Sequence, residues 1–196
     1  PANGRFEYSK NRINFYPVFS LKLNKPYFKS SKKYLTIIEP NVMFIKSNKK
    51  AFNRFIPDEN NINNFELDYF DIFNINRLSG FDRFDSQSRV DYGIKFKKKS
   101  TNSNFVSQIS IAQSYQMQRQ TYMQKNSGIS EKFSDFVGNI KVKPSDLIKI
   151  VSTFSLDQKK FSLKNAYSSL TFNVNKNRLS ISNIHSPVVL DETGKT

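Results

Sequence analysis

The string NRLSGFDR, residues 76–83, sets two guanidiniums, Arg77 and Arg83, and one carboxylate, Asp82, around a single glycine, Gly80. Guanidinium and carboxylate planes match, so such groups form paired, charge-assisted hydrogen bonds, and glycine accepts a positive φ that other residues resist. The spacing predicts a self-bonded loop opening at Asn76, built to hold a shape. Two further carboxylate pairs lie nearby, Asp68 with Asp71 and Asp82 with Asp85. A glycosidase needs two such groups facing each other across a cleft, and neighbours in one polar loop are poorly placed for that. The single histidine, His185, leaves no imidazole pair for metal or acid–base work and reads as the end of a strand. The absence of cysteine removes thiolate ligands, thiol nucleophiles and disulfides from this chain. No phosphate-cradling glycine loop, HExxH, GxSxG or EF-hand string occurs. The expectation is a protein that is not an enzyme, with no metal and no cofactor.

Charge comes next, because its distribution says more than its total. The 196 residues carry a formal +15, yet residues 58–91 hold eight acids against three arginines. The rest is a basic body around one acidic insert. Partners for such a body are nucleic acid, an anionic lipid surface or a phosphorylated substrate; the plainer reading is a set of solvent-facing lysines.

The elements that must hold the loop alternate with period two, the signature of strands. In SRVDYGIKFK, Val90, Tyr92, Ile94 and Phe96 share one face, and Arg89, Asp91, Gly93, Lys95 and Lys97 the other. In NFVSQISIAQSYQMQ, Phe105, Ile109, Ile111 and Tyr115 oppose Gln108, Ser110, Ala112, Ser114 and Gln116. SDFVGNIKVKP sets Phe136, Ile140 and Val142 against Asn139, Lys141 and Lys143, and DLIKIVSTFSLD sets Ile148, Ile150, Phe154 and Leu156 against Lys149, Thr153 and Ser155. Further strands are predicted over residues 12–24, 33–47, 161–174 and 177–185, with a leading one around 5–10. Near Tyr167 the parity slips, which predicts a bulge. Residues 144–146 and 175–177 read as tight turns, whereas about 48–88 and 118–131 are long, polar and irregular.

A soluble sandwich alternates too. These runs, however, exceed the roughly 5 to 6 residues common in soluble strands, and their apolar faces are rich in Phe, Tyr and Ile while the opposite faces resemble a channel lining. Transmembrane barrel strands need only about 9 to 11 residues with one apolar side, so a hydrophilic average is no obstacle; the mean hydropathy here is -0.58. Nucleic acid is not expected as a partner, because the aromatics lie with Ile, Val and Leu as a wall and not as a stacking platform. The fold class expected is all-β: about eight or nine strands of a larger antiparallel up-and-down transmembrane β-barrel, the whole of 1–196 being one partial barrel domain. A generic porin or substrate-specific channel and, more remotely, a basic β-rich nucleic-acid-binding domain are the other readings.

FELDYFDIFNINRLSGFDRFDSQSRVDYGIKF, residues 65–96, resembles the most recognisable segment of the outer-membrane LPS-assembly (LptD) family. The resemblance lies in an acidic run at 68–73, the octapeptide at 76–83, and a strand ending in Gly93-Ile94. LTIIEPNVMFIKS, with Glu39-Pro40, FIPDENN, AQSYQMQ and SDFVGNIKVKPSDLIKI resemble flanking family segments, so the likeness covers about residues 35–157. It implies a barrel in the outer membrane of a Gram-negative bacterium, preceded by a periplasmic jellyroll and plugged by an LptE-like lipoprotein. LPS would arrive from the periplasmic bridge through the jellyroll and enter the outer leaflet through a lateral opening between the first and last barrel strands. This segment is similar to the interior of such a barrel, in contact with outer-membrane lipid. The family-motif loop, Asn76, Arg77, Gly80, Asp82 and Arg83, is then expected to contact lumen or plug; Pro40 and Gly93 mark motif strands; Arg89, Asp91, Lys95, Gln108, Gln116 and Lys141 are expected to face the lumen. Enterobacterial members join jellyroll to barrel by disulfides, for which this chain has no cysteine.

Overall fold

A computed structural model describes residues 17–47, 66–78, 85, 87–118 and 127–186. They form one antiparallel sheet of nine strands: β1 Val18–Asn24, β2 Tyr27–Ser30, β3 Tyr34–Ser47, β4 Arg89–Ser100, β5 Val106–Gln116, β6 Phe136–Lys143, β7 Ile148–Leu156, β8 Leu163–Val174 and β9 Asn177–His185. From β3 onward each strand pairs with the next in sequence, an up-and-down order, and β1 and β2 both pair with β3 at one edge while β9 forms the other. The expected all-β antiparallel class and strand number are present, and His185 ends β9. The leading strand expected around 5–10 lies outside the described residues, and so does the first part of the strand expected over 12–24, which begins at Val18.

β2 was not anticipated by the alternation. β1 and β2 run along β3 in one unbroken register, Asn24 opposite Asn41 and Tyr27 opposite Ile38, interrupted only by Lys25 and Pro26. Lys25 N donates to Pro40 O at 3.4 Å, so Pro40, which has no N–H, turns its missing donor toward the same gap. Pro40 therefore returns no bond to Lys25, and the ladder closes again beyond the gap. The parity slip is real but sits upstream of Tyr167: Ser155 pairs with Asn165 and Leu156 with Leu163, leaving Lys164 as the extra residue. The tight turns are as expected, with Asn175 at φ 54° closing the β8–β9 hairpin.

Most strands have an apolar and a polar side, whereas β3 is apolar on both, with Leu35, Ile37, Met43 and Ile45 on the second. Phe19, Leu21, Leu23, Ile38, Phe44, Ile94, Phe96, Ile109, Ile111, Ile150, Leu179 and Ile181 share one face by register and are all exposed. Polar groups on that face pair with one another: the Tyr92 hydroxyl donates to Gln113 Oε1 at 2.5 Å, and Ser152 and Ser168 bond at 2.9 Å. The buried side chains gather instead on the opposite face, at the end of the sheet away from the short turns.

One close approach fixes how β6 meets β7. A Cβ built on Gly138 would meet the Phe154 ring at 2.3 Å, so the ring covers a glycine directly opposite it in the ladder. Gly138→Val is expected to cost about 1–3 kcal/mol by overpacking. The thermal unfolding midpoint and protease resistance of the folded protein should fall, while Phe154→Ala in the same background should restore part of both.

Candidate functional site

Sequence folds the acidic insert back on itself in short steps. The Asp68 carboxylate accepts from the backbone N–H of Phe70 at 2.6 Å and of Asp71 at 2.9 Å, starting a turn that Asn74 N closes onto Asp71 O at 2.9 Å. The Asp68 and Asp71 pair is thus a turn device and not an acid–base pair. Burial and the neighbouring Asp68 charge raise the Asp71 pKa. The turn drives Leu67 and Ile72 against Ala112 of β5 and Val137 of β6, joined by Leu78 and by Ile129 from the second loop. The two loops are also bonded directly, Leu67 N to Ser127 O at 3.2 Å. On the β1 side, Lys22 Nζ lies 5.4 Å from the Phe73 ring centroid.

Beside this apolar patch lies a buried ionic network. Arg77 Nε and Arg89 Nη1 donate to the same oxygen, Asp85 Oδ2, at 2.6 and 2.7 Å. Arg89 Nε reaches Asp91 Oδ2 at 3.0 Å, and its Nη2 donates to the carbonyls of Asn74 and Ile75. Ser114 Oγ donates to Asp91 Oδ1 at 2.5 Å and accepts from Arg77 Nη1 at 3.2 Å. Asn76 Oδ1 holds the backbone of the pair, accepting from Asp85 N at 2.9 Å and Leu78 N at 3.3 Å. The four charged side chains are fully buried in their ion pairs, and two positive groups face two negative ones. Burial pushes the Asp85 carboxyl up, but Arg77 and Arg89 beside it more than reverse this and hold it below the ordinary carboxylate value.

The structure brings together Asn76, Arg77, Arg89 and Asp91 from the expected set. Gln116 joins them at the margin, buried, with its Nε2 donating to Ile129 O at 2.7 Å. Gly93, Lys95, Gln108 and Lys141 lie on the same face farther toward the short turns, with Lys95 Nζ 3.0 Å from Glu39 Oε2. Pro40 is on the opposite face. Gly80, Asp82 and Arg83 lie outside the described residues, so the self-bonding expected of Asp82 does too; the carboxylate that Arg77 meets is Asp85. Asp85, Ser114 and the Asn74 carbonyl were not singled out as partners. Asp85 stands four residues before Arg89, which hints at the first, but Ser114 faces Asp91 only through the β4–β5 register. Among the described residues, no group of three or more His, Cys, Asp or Glu is placed to hold a metal ion.

Such an arrangement does no covalent chemistry; it clamps a loop. Asp85→Asn removes the charge that two buried guanidiniums share and should lower stability by about 3–5 kcal/mol. Adding Arg77→Met should recover part of that loss, as read from urea unfolding of the protein. Asp85 is depressed in the folded state, so its stabilisation is full above the unfolded value of 3.8 and is lost as pH falls through the lower folded value. Pepsin cleavage within residues 66–78 should therefore appear only below pH 3.8 and be absent around pH 5.

A family model described as LptD, LPS transport system D, matches residues 5–193. No curated protein matches the chain.

Proposed function

The chain belongs to the LptD family, and on that premise we propose that its sheet is a stretch of wall in an outer-membrane barrel that delivers LPS to the outer leaflet. The family's role is LPS transport and not catalysis. In this reading the exposed apolar face meets outer-membrane lipid, and β1, β2 and β9 pair with further strands, since hydrocarbon leaves no water for an open edge. The opposite face lines the lumen, with Arg89, Asp91, Lys95, Gln108, Gln116 and Lys141 on it.

The observation that carries the reading is the seating of the acidic loop on that inner face. A neutral, fully buried Arg77–Asp85–Arg89–Asp91 network and an apolar cluster fix it there. A loop held this way narrows the mouth of the barrel and gives a firm surface to an LptE-like lipoprotein plug, with Gly80, Asp82 and Arg83 continuing the same motif. Cargo then comes from the periplasmic bridge through a jellyroll domain, and the location is the outer membrane of a Gram-negative cell.

Depletion of the complete protein in its native cell tests this. Newly made LPS should accumulate at the inner membrane and fail to reach the cell surface. Normal LPS delivery with altered solute permeability would replace the exporter with a channel.

A further inference from the structure

The inner face changes character along its length. At the loop end its charges are matched and buried. Toward the short turns β4 presents Lys95, Lys97 and Lys99, and β6 presents Lys141 and Lys143, all on this one face. Lys95 meets Glu39 and Lys143 meets Asp146; among the described residues Lys97, Lys99 and Lys141 have no carboxylate within ion-pair reach. Register sets them in rows: Lys97, Gln108 and Lys141 stand side by side across β4, β5 and β6, and Lys99, Val106 and Lys143 form the next row. Neighbouring lysines on one strand are then about 6.8 Å apart and the two columns about 9.6 Å apart. An anion lying over β5 meets ammonium groups from both sides and the Gln108 amide beneath it.

The other flank of the lane is apolar. Ile37 stands directly opposite Lys97 and Leu35 opposite Lys99, with Phe28 opposite Ile37. Phe28 is 65% exposed. A polyanion such as a nucleic acid has no use for that flank, whereas a glycolipid carries both phosphate and hydrocarbon.

We propose that Lys97, Lys99, Lys141 and Gln108 form a phosphate-binding lane for the phosphorylated sugar head of a glycolipid, with Phe28, Leu35 and Ile37 beside it for the acyl portion. The proposal rests on the LPS reading above and names where on this chain the cargo's phosphates are held. Like charges this close repel one another, so the lane is poised to gain from an anion that neutralises it.

The test uses the complete protein with its plug, reconstituted in liposomes, carrying a photocrosslinking residue in place of Gln108. The probes are purified LPS and the same LPS after removal of its phosphates. Phosphorylated LPS should crosslink at this position, and the yield should drop about tenfold with the dephosphorylated probe or with Lys97→Gln, Lys99→Gln and Lys141→Gln combined. The corresponding arginine variant should retain it. All three lysines are partly or fully exposed, and unchanged heat-modifiable mobility will show that the variants assemble. Equal crosslinking of both probes, indifference to the lysines, or crosslinking to an acidic polypeptide instead of LPS overturns the lane while leaving the exporter reading intact. Normal surface LPS after depletion is the separate result that removes that reading.

Discussion

Two guanidiniums meet on one carboxylate oxygen, Asp85 Oδ2, and the loop end of the sheet is organised around that meeting. Arg89 belongs to β4 and Arg77 to the loop, so Asp85 is what joins the loop to the sheet. Buried charges carry a heavy desolvation penalty, which is offset only when every partner is in place. Here Asp91 and Ser114 from adjacent strands and the Asn74 and Ile75 carbonyls supply most of them, and Arg77 Nη2 is left buried without a partner among the described residues. The network therefore gives directional specificity to a contact that the apolar cluster of Leu67, Ile72, Leu78, Ile129 and Val137 drives without direction. Neutral overall, it also adds no net charge to that end of the face.

The strand alternation was legible because two faces with different surroundings force period two, and Val90, Tyr92, Ile94 and Phe96 display it without interruption. The asymmetry of the connections could likewise be read from the proline and asparagine at 144 and 175. β2 could not, because Lys25-Pro26 breaks the local pattern and only the unbroken register against β3 shows that both pieces are one course of the ladder. The bulge is read a few residues late: it falls at Lys164, whose ammonium lies 2.7 Å from Asp135.

For the site, local spacing carried part of the information. Arg77 was recognisable as an arginine in need of a carboxylate, and the nearest candidate in sequence was Asp82. The acceptor among the described residues is Asp85, which closes a wider ring and at the same time reaches a strand. Arg89 and Asp91, two apart, were placed on one face by alternation alone, and they do bond each other at 3.0 Å. What brings Ser114 to them is the pairing of β4 with β5, a non-local fact that no single segment encodes.

The prolines at the β2 edge govern how the sheet comes apart. A ladder normally unzips as one unit, because each hydrogen bond positions the next. At Pro40 that relay is thinned to the one bond from Lys25: four residue pairs lie on the short-turn side and seven on the other. The short piece can exchange its amides with solvent by opening alone, in a local excursion well below the free energy of global unfolding. The sheet thus contains a perforation, a line along which a few rungs yield while the strand beyond it keeps its register.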